Sequence, residues 1–148
     1  MHGQKSQEER AEAMSKPRYL WWDYMRKVIR VYPERKSEYD ALHQQSVTAN
    51  LSGMPGSGSV SRGTENIATR ELPPTKQKEY DAVRQAVEIT RRMQTGAARM
   101  RIIELVYWKS VKLTVEGAAM KVGYSPERGK QMHGEFVRLV AKCYGYDL

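Results

Sequence analysis

A chain of 148 residues, 40% of them hydrophobic, has room for one domain or a domain plus an appendage, which excludes a large multidomain enzyme. Its 25 Lys and Arg against 17 Asp and Glu leave a formal net charge of +8 with a pI near 9.6, which favours a polyanionic partner such as nucleic acid over a membrane surface. No apolar run approaches the roughly 20 residues of a membrane span, and Met1 to Ser6 has no apolar signal core behind its charge. One cysteine, Cys143, and three scattered histidines cannot make an internal disulfide or a four-ligand Cys/His zinc site. The expectation is a protein of a reducing cytoplasm with no metal and no cofactor.

Residues 1–16 are charged and polar, with Glu8, Glu9, Arg10 and Glu12 among alanines, and are expected to be disordered. An N-terminal helical region is expected over 17–49. Leu20, Tyr24, Val28 and Val31 recur at helical spacing, with Trp21, Met25 and Ile29 as a second row beside them. Pro33 is expected to end or kink this helix, because proline has no N–H and clashes with the preceding turn. The stretch from Glu34 to about Gln45 offers only Tyr39, Ala41 and Leu42 to a core.

Residues 50–74 read as a linker, since nine of the twelve residues from Ser52 to Gly63 are Gly, Ser or Pro. Such a stretch spans roughly 20 Å, enough to leave the flanking regions free in their placement. A short helix from Thr64 to Leu72 is possible before Pro73. Residues 75–148 are expected to form a helical domain. Thr75 is placed to cap a helix to about Thr95, carrying Tyr80, Val83 and Val87 with Ala82, Ala86, Ile89 and Met93, and Gly96 to stop it. A second helix is expected from Ala97 to about Ser110. No useful period-two alternation occurs, so the fold class is all-α.

The informative stretch lies at about 114–143. Thr114 can cap a short helix, Gly123 can supply the left-handed residue at its end, and Ser125 can cap the next helix with Pro126 in its first turn. Two helices then meet across a tight turn, and Ala119 is small enough for a close crossing. Val122, Tyr124, Met132 and Phe136 are available to fill the angle between them. The second helix carries Glu127, Arg128, Lys130 and Gln131 outward, residue types that reach base edges and phosphates from a major-groove helix. Arg99, Arg101, Lys109, Lys112 and Lys121 add positive charge around the motif.

The run from Ile102 to Val140 resembles the helix-turn-helix of sigma factor region four. Leu105-Val106-Tyr107, Leu113-Thr114, Glu116, Ala119, Gly123, Ser125, Glu127-Arg128 and Lys130-Gln131 match in order. With Trp21, Trp22, Tyr32 and Glu38 in the opening helix, the Gly/Ser linker, Tyr107-Trp108 and Cys143-Tyr144-Gly145, residues 17–146 resemble the RinA family of phage transcriptional activators. The resemblance implies a sequence-specific activator of phage late genes, those for packaging and structure, acting in the cytoplasm of a bacterial host on double-stranded promoter DNA. Host RNA polymerase and a second copy of the chain are further candidate partners. It also implies a DNA-binding set of Thr114, Lys121, Ser125, Glu127, Arg128, Lys130 and Gln131. Glu127 and Gln131 would lie at base edges, and Arg128 and Lys130 on phosphates.

The chain departs from that pattern at Gly117, Gly129 and Gly134, each costing an ordinary helix about 0.5–1 kcal/mol relative to Ala. Pro126 also replaces a residue that commonly touches DNA. Trp21, Trp22 and Trp108 read first as core, and His133 as a surface residue or a phosphate contact. The carboxylates are dispersed among basic residues and no histidine lies near Cys143 in sequence, so an enzyme is not expected. The rival readings are a terminase small subunit-like DNA-recognition protein and a module that docks on polymerase or a sigma factor.

Overall fold

The computed structural model describes residues 19–51 and 71–148. Among these there are five helices and no strand, as expected of an all-α chain. They are α1 (Trp22–Leu51), α2 (Pro74–Arg91), α3 (Gly96–Ile103, widening into a π-helical segment Glu104–Trp108), α4 (Val115–Val122) and α5 (Pro126–Tyr144). The expected disorder of 1–16, the Gly/Ser run and most of the possible helix at Thr64 to Leu72 lie outside the described residues. The side chains of 45–51 do as well.

The described part of 17–49 and residues 75–148, read apart in the sequence, share one core. Met25, Val28 and Ile29 of α1 are buried with Val83 and Ala86 of α2, Ile102 and Ile103 of α3, and Phe136, Val137 and Val140 of α5. Of the two expected rows of α1, Val28, Met25 and Ile29 are fully buried and Tyr24 and Trp21 pack against the core, whereas Leu20 precedes the helix and is fully exposed. Trp22 and Tyr32 join the inward face. The helix starts where the Trp22 amide donates to the Tyr19 carbonyl (3.1 Å) and the Tyr19 and Trp21 rings stack at 4.7 Å.

Pro33 does not end the first helix, which runs through it for 30 residues, about 45 Å. A mid-helix proline removes the bond to the carbonyl four residues back, here that of Ile29. The indole Nε1–H of Trp108 donates to that carbonyl at 2.8 Å, so the group left unpaired by Pro33 is satisfied from α3. Beyond the proline the helix is held by polar and aromatic contacts more than by apolar burial. Arg35 Nε donates to Glu79 (3.3 Å), Lys76 reaches Glu38 (3.5 Å), and Tyr39 stacks on Tyr80 at 4.5 Å.

Two other expectations change. Thr75 is not the cap of α2, because Pro73 precedes a helix already begun at Pro74, where a fixed φ suits the first turn and no donor is lost. Gly96 is not a left-handed stop. It opens α3, and a Cβ there would run into the carbonyl oxygens of Thr90 and Arg91, so its role is close passage over the end of α2. Ile89 and Met93, placed beside the buried stripe of α2, are exposed.

Candidate nucleic-acid interface

The junction of α4 and α5 is built by local signals. The Thr114 hydroxyl accepts from the Gly117 amide (3.0 Å) and the Ser125 hydroxyl from the Arg128 amide (3.2 Å), so each helix has one of its otherwise unpaired first-turn donors satisfied. Between them Gly123 takes φ +99°, a left-handed value that side chains disfavour, and the amides of Gly123 and Tyr124 both return to the Ala119 carbonyl (3.0 and 2.9 Å).

The residues of α5 explain one departure from the expected pattern. A Cβ at Gly129 would overlap the Cβ of Ala119, so these two small residues are where the helices touch. Gly129 therefore contributes a close crossing in return for its poor helix propensity. Gly117 lies against the Thr114 hydroxyl in the first turn of α4, and Gly134 leaves room over which the Arg138 guanidinium folds.

Of the seven candidate contact residues, Thr114, Lys121, Ser125, Glu127, Lys130 and Gln131 are exposed and Arg128 is half-buried. Thr114 and Ser125 are engaged as caps. Arg128 donates to the Gln131 Oε1 at 2.8 Å, which fixes the amide plane and leaves its NH2 group free to donate. Lys130 crosses to Glu116 on α4 at 3.2 Å. The Glu116 carboxyl is held below the usual carboxylate range by its own backbone amide and then by Lys130. Glu127 and Lys121 make no ion pair among the described residues.

Several of the surrounding basic residues already carry carboxylate partners. Arg99 is tied to Glu135, while Arg101 and Lys109 both pair with Glu104 (3.3 and 3.0 Å). Lys112, just before α4, and Lys121, in its last turn, are exposed. Arg138 is a residue the sequence reading missed. It lies eleven residues after Glu127 and seven after Gln131, so helical spacing carries the outward face of α5 on to it.

His133 is not a surface residue. It is 7% exposed, its Nε2 lies 2.6 Å from the Tyr107 hydroxyl, and the Trp22 ring meets it edge-on at 6.0 Å. The Tyr107 hydroxyl also accepts from Arg26 Nε (2.9 Å), and a neutral imidazole can take the Tyr107 proton on its Nε2. Burial and then the charge of Arg26 push the His133 pKa down to about 4, while burial raises that of Tyr107. This chain ties α5 to α3 and α1 behind the outward face. The signal was present in the sequence, since His133, Phe136, Val137 and Val140 fall on one helical stripe. The three tryptophans, expected as core, are half-buried and packed against it.

Among the described residues no three His, Cys, Asp or Glu side chains gather as a metal-ion site, and no described helix is long and apolar enough to cross a membrane. Compared with family models, curated proteins and solved structures, the chain matches none of them.

Proposed function

We propose that the chain is a sequence-specific DNA-binding protein that places α5 in the major groove. The observation that carries this reading is the α4–α5 junction. Two capped helices touch through Ala119 and Gly129 and present Glu127, Lys130 and Gln131 outward on a chain of net charge +8. Glu127 can accept from cytosine N4, and Gln131, oriented by Arg128, can pair with adenine. Lys121, Arg128 and Lys130 supply phosphate contacts, and Thr114 and Ser125 start helices whose N-terminal amides favour an anion. The Lys130–Glu116 pair is half-exposed on both sides, so it is worth little and a phosphate can take the place of the carboxylate. The order of motifs resembling RinA proteins supports activation of phage late genes as the biological role.

The test is selection of duplex sites by the full chain, followed by titrations from about 50 to 200 mM salt. If about five phosphates are neutralised, the log–log slope is about −4 to −5. Glu127→Ala or Gln131→Ala should relax preference at one or two base positions by about 1–3 kcal/mol, whereas Lys130→Ala should weaken all sequences and reduce the slope by about one. A flat salt response, or preference untouched in both Glu127→Ala and Gln131→Ala while the fold stays intact, overturns the assignment.

A further inference from the structure

A groove of about 490 Å³ opens between α1, α2 and α3 with its π-helical segment, and neither α4 nor α5 lines it. Its volume lies within the range of sites that take an organic ligand or a peptide side chain. The apolar floor is made by Tyr32, Pro33, Val87, Met100 and Trp108. Pro33 lines it directly and also holds it in place, because the Ile29 carbonyl it leaves unpaired anchors the Trp108 indole at 2.8 Å. Tyr32 is stacked on Tyr80 at 5.8 Å and lies 5.4 Å from the Trp108 ring. The floor is therefore set by contacts within the protein and does not wait for a ligand to form.

The charged groups of the groove are unequal in sign. Lys36, Arg91 and Lys109 stand against Glu104 alone. Lys36 and Lys109 are paired with Asp40 (3.4 Å) and Glu104 (3.0 Å), but both lysines are about half-exposed and such pairs exchange readily with another carboxylate. Arg91 makes no ion pair among the described residues. Burial raises the pKa of the Tyr32 hydroxyl, with Lys36, Arg91 and Arg84 acting against the rise and Asp40 adding to it.

We propose that this groove is a docking site for an acidic peptide of a partner protein that carries one large apolar side chain. The side chain fills the Tyr32–Met100–Trp108 floor, and flanking carboxylates meet Lys36, Arg91 and Lys109. A single-stranded nucleic acid fits less well. One face of Tyr32 is already covered by Tyr80, the Tyr32 and Trp108 rings are inclined at 37°, and the rest of the floor is aliphatic, so no flat platform is offered to a base. Met100, with a flexible and polarizable side chain, suits an adaptable peptide pocket. Since the groove and the α4–α5 face share no residue, the proposal stands apart from the DNA-binding reading.

The experiment selects peptides from a random displayed library with the full chain in the absence of DNA. Peptides that also bind a Lys36→Glu/Arg91→Glu variant of unchanged circular dichroism are discarded. The expected survivors carry Asp or Glu around one Leu, Phe or Trp, and calorimetry on them should show about a tenfold loss or more when that anchor becomes Ala or when the variant replaces the native chain. The proposal is overturned if no peptide survives, if survivors lack the acidic and apolar pattern, or if oligo-dT in place of peptide binds the native chain and is lost in the variant. Peptide binding is read without DNA, so its failure leaves the α5 assignment untouched.

Discussion

The α4–α5 junction and the first helix meet the same problem, backbone groups without helical partners, and meet it differently. At the junction the answers lie within a few residues. Thr114 and Ser125 supply acceptors three residues ahead of the amides they bind, and Gly123 turns the chain where only a left-handed residue fits. In α1 the Ile29 carbonyl is paired by Trp108, 79 residues later in the chain. A locally satisfied backbone is cheap to specify and simple to recognise, whereas one satisfied across the core depends on the whole fold.

The largest expected effect tests the close contact at the junction. Gly129→Ala places a Cβ on that of Ala119, so the two helices must move apart or shift along one another to admit it. Overpacking of this kind costs about 3 kcal/mol. The expected outcome is a matching drop in urea-unfolding stability, with DNA affinity falling as α5 is displaced. If Gly129→Ala were stabilising, as a helix-propensity gain alone would make it, the two helices would not be in the contact described.

That comparison also explains what was legible. The all-α class, the bounds of α4 and α5 near Thr114 and Ser125, and the burial of Met132 and Phe136 follow from caps and period, which act over one or two turns. The continuation of α1 past Pro33 was not legible, because the Trp108 N–H that makes it tolerable has no sequence-local relation to Ile29. Gly96 reads as a helix stop and Gly129 as a poor helix former, yet each is set by what it passes closely, the end of α2 and Ala119 respectively. For the candidate site, periodicity located the outward residues of α5. It could not show that Lys130 pairs with Glu116 or that Arg128 holds Gln131, because side-chain partners depend on which helices become neighbours.

An intermediate effect concerns the contact behind α5. His133 is neutral in the fold with its pKa pushed down to about 4, against about 6.5 in an unfolded chain. Between those values the unfolded state binds more protons than the native one, so stability falls as pH is lowered from about 7 towards 4. Linkage for this one group gives a loss of about 2 kcal/mol at pH 5 relative to pH 7. Glu116 acts in a lower window, since its depressed pKa costs stability only as pH falls below the ordinary carboxylate value. Urea titrations at both pH values should therefore show the loss in the native chain and a smaller one in His133→Gln. Equal pH dependence in the two proteins would mean that His133 is not held neutral in the fold.

The smallest expected effect is the most direct test of the contrast between local and distant satisfaction. Trp108→Phe keeps a large ring but removes the N–H, leaving the Ile29 carbonyl with neither its helical partner nor its indole. Losing the partner of a buried polar group costs about 1–3 kcal/mol. In a Pro33→Ala background the alanine amide can supply the ordinary helical bond to Ile29, so the same Trp108→Phe change then loses packing without leaving an unpaired acceptor. The two costs should differ by about 1 kcal/mol in a double-mutant cycle measured by equilibrium unfolding. Additive costs would mean that the indole does not compensate for the proline, and that α1 tolerates Pro33 for a reason other than the Ile29–Trp108 bond.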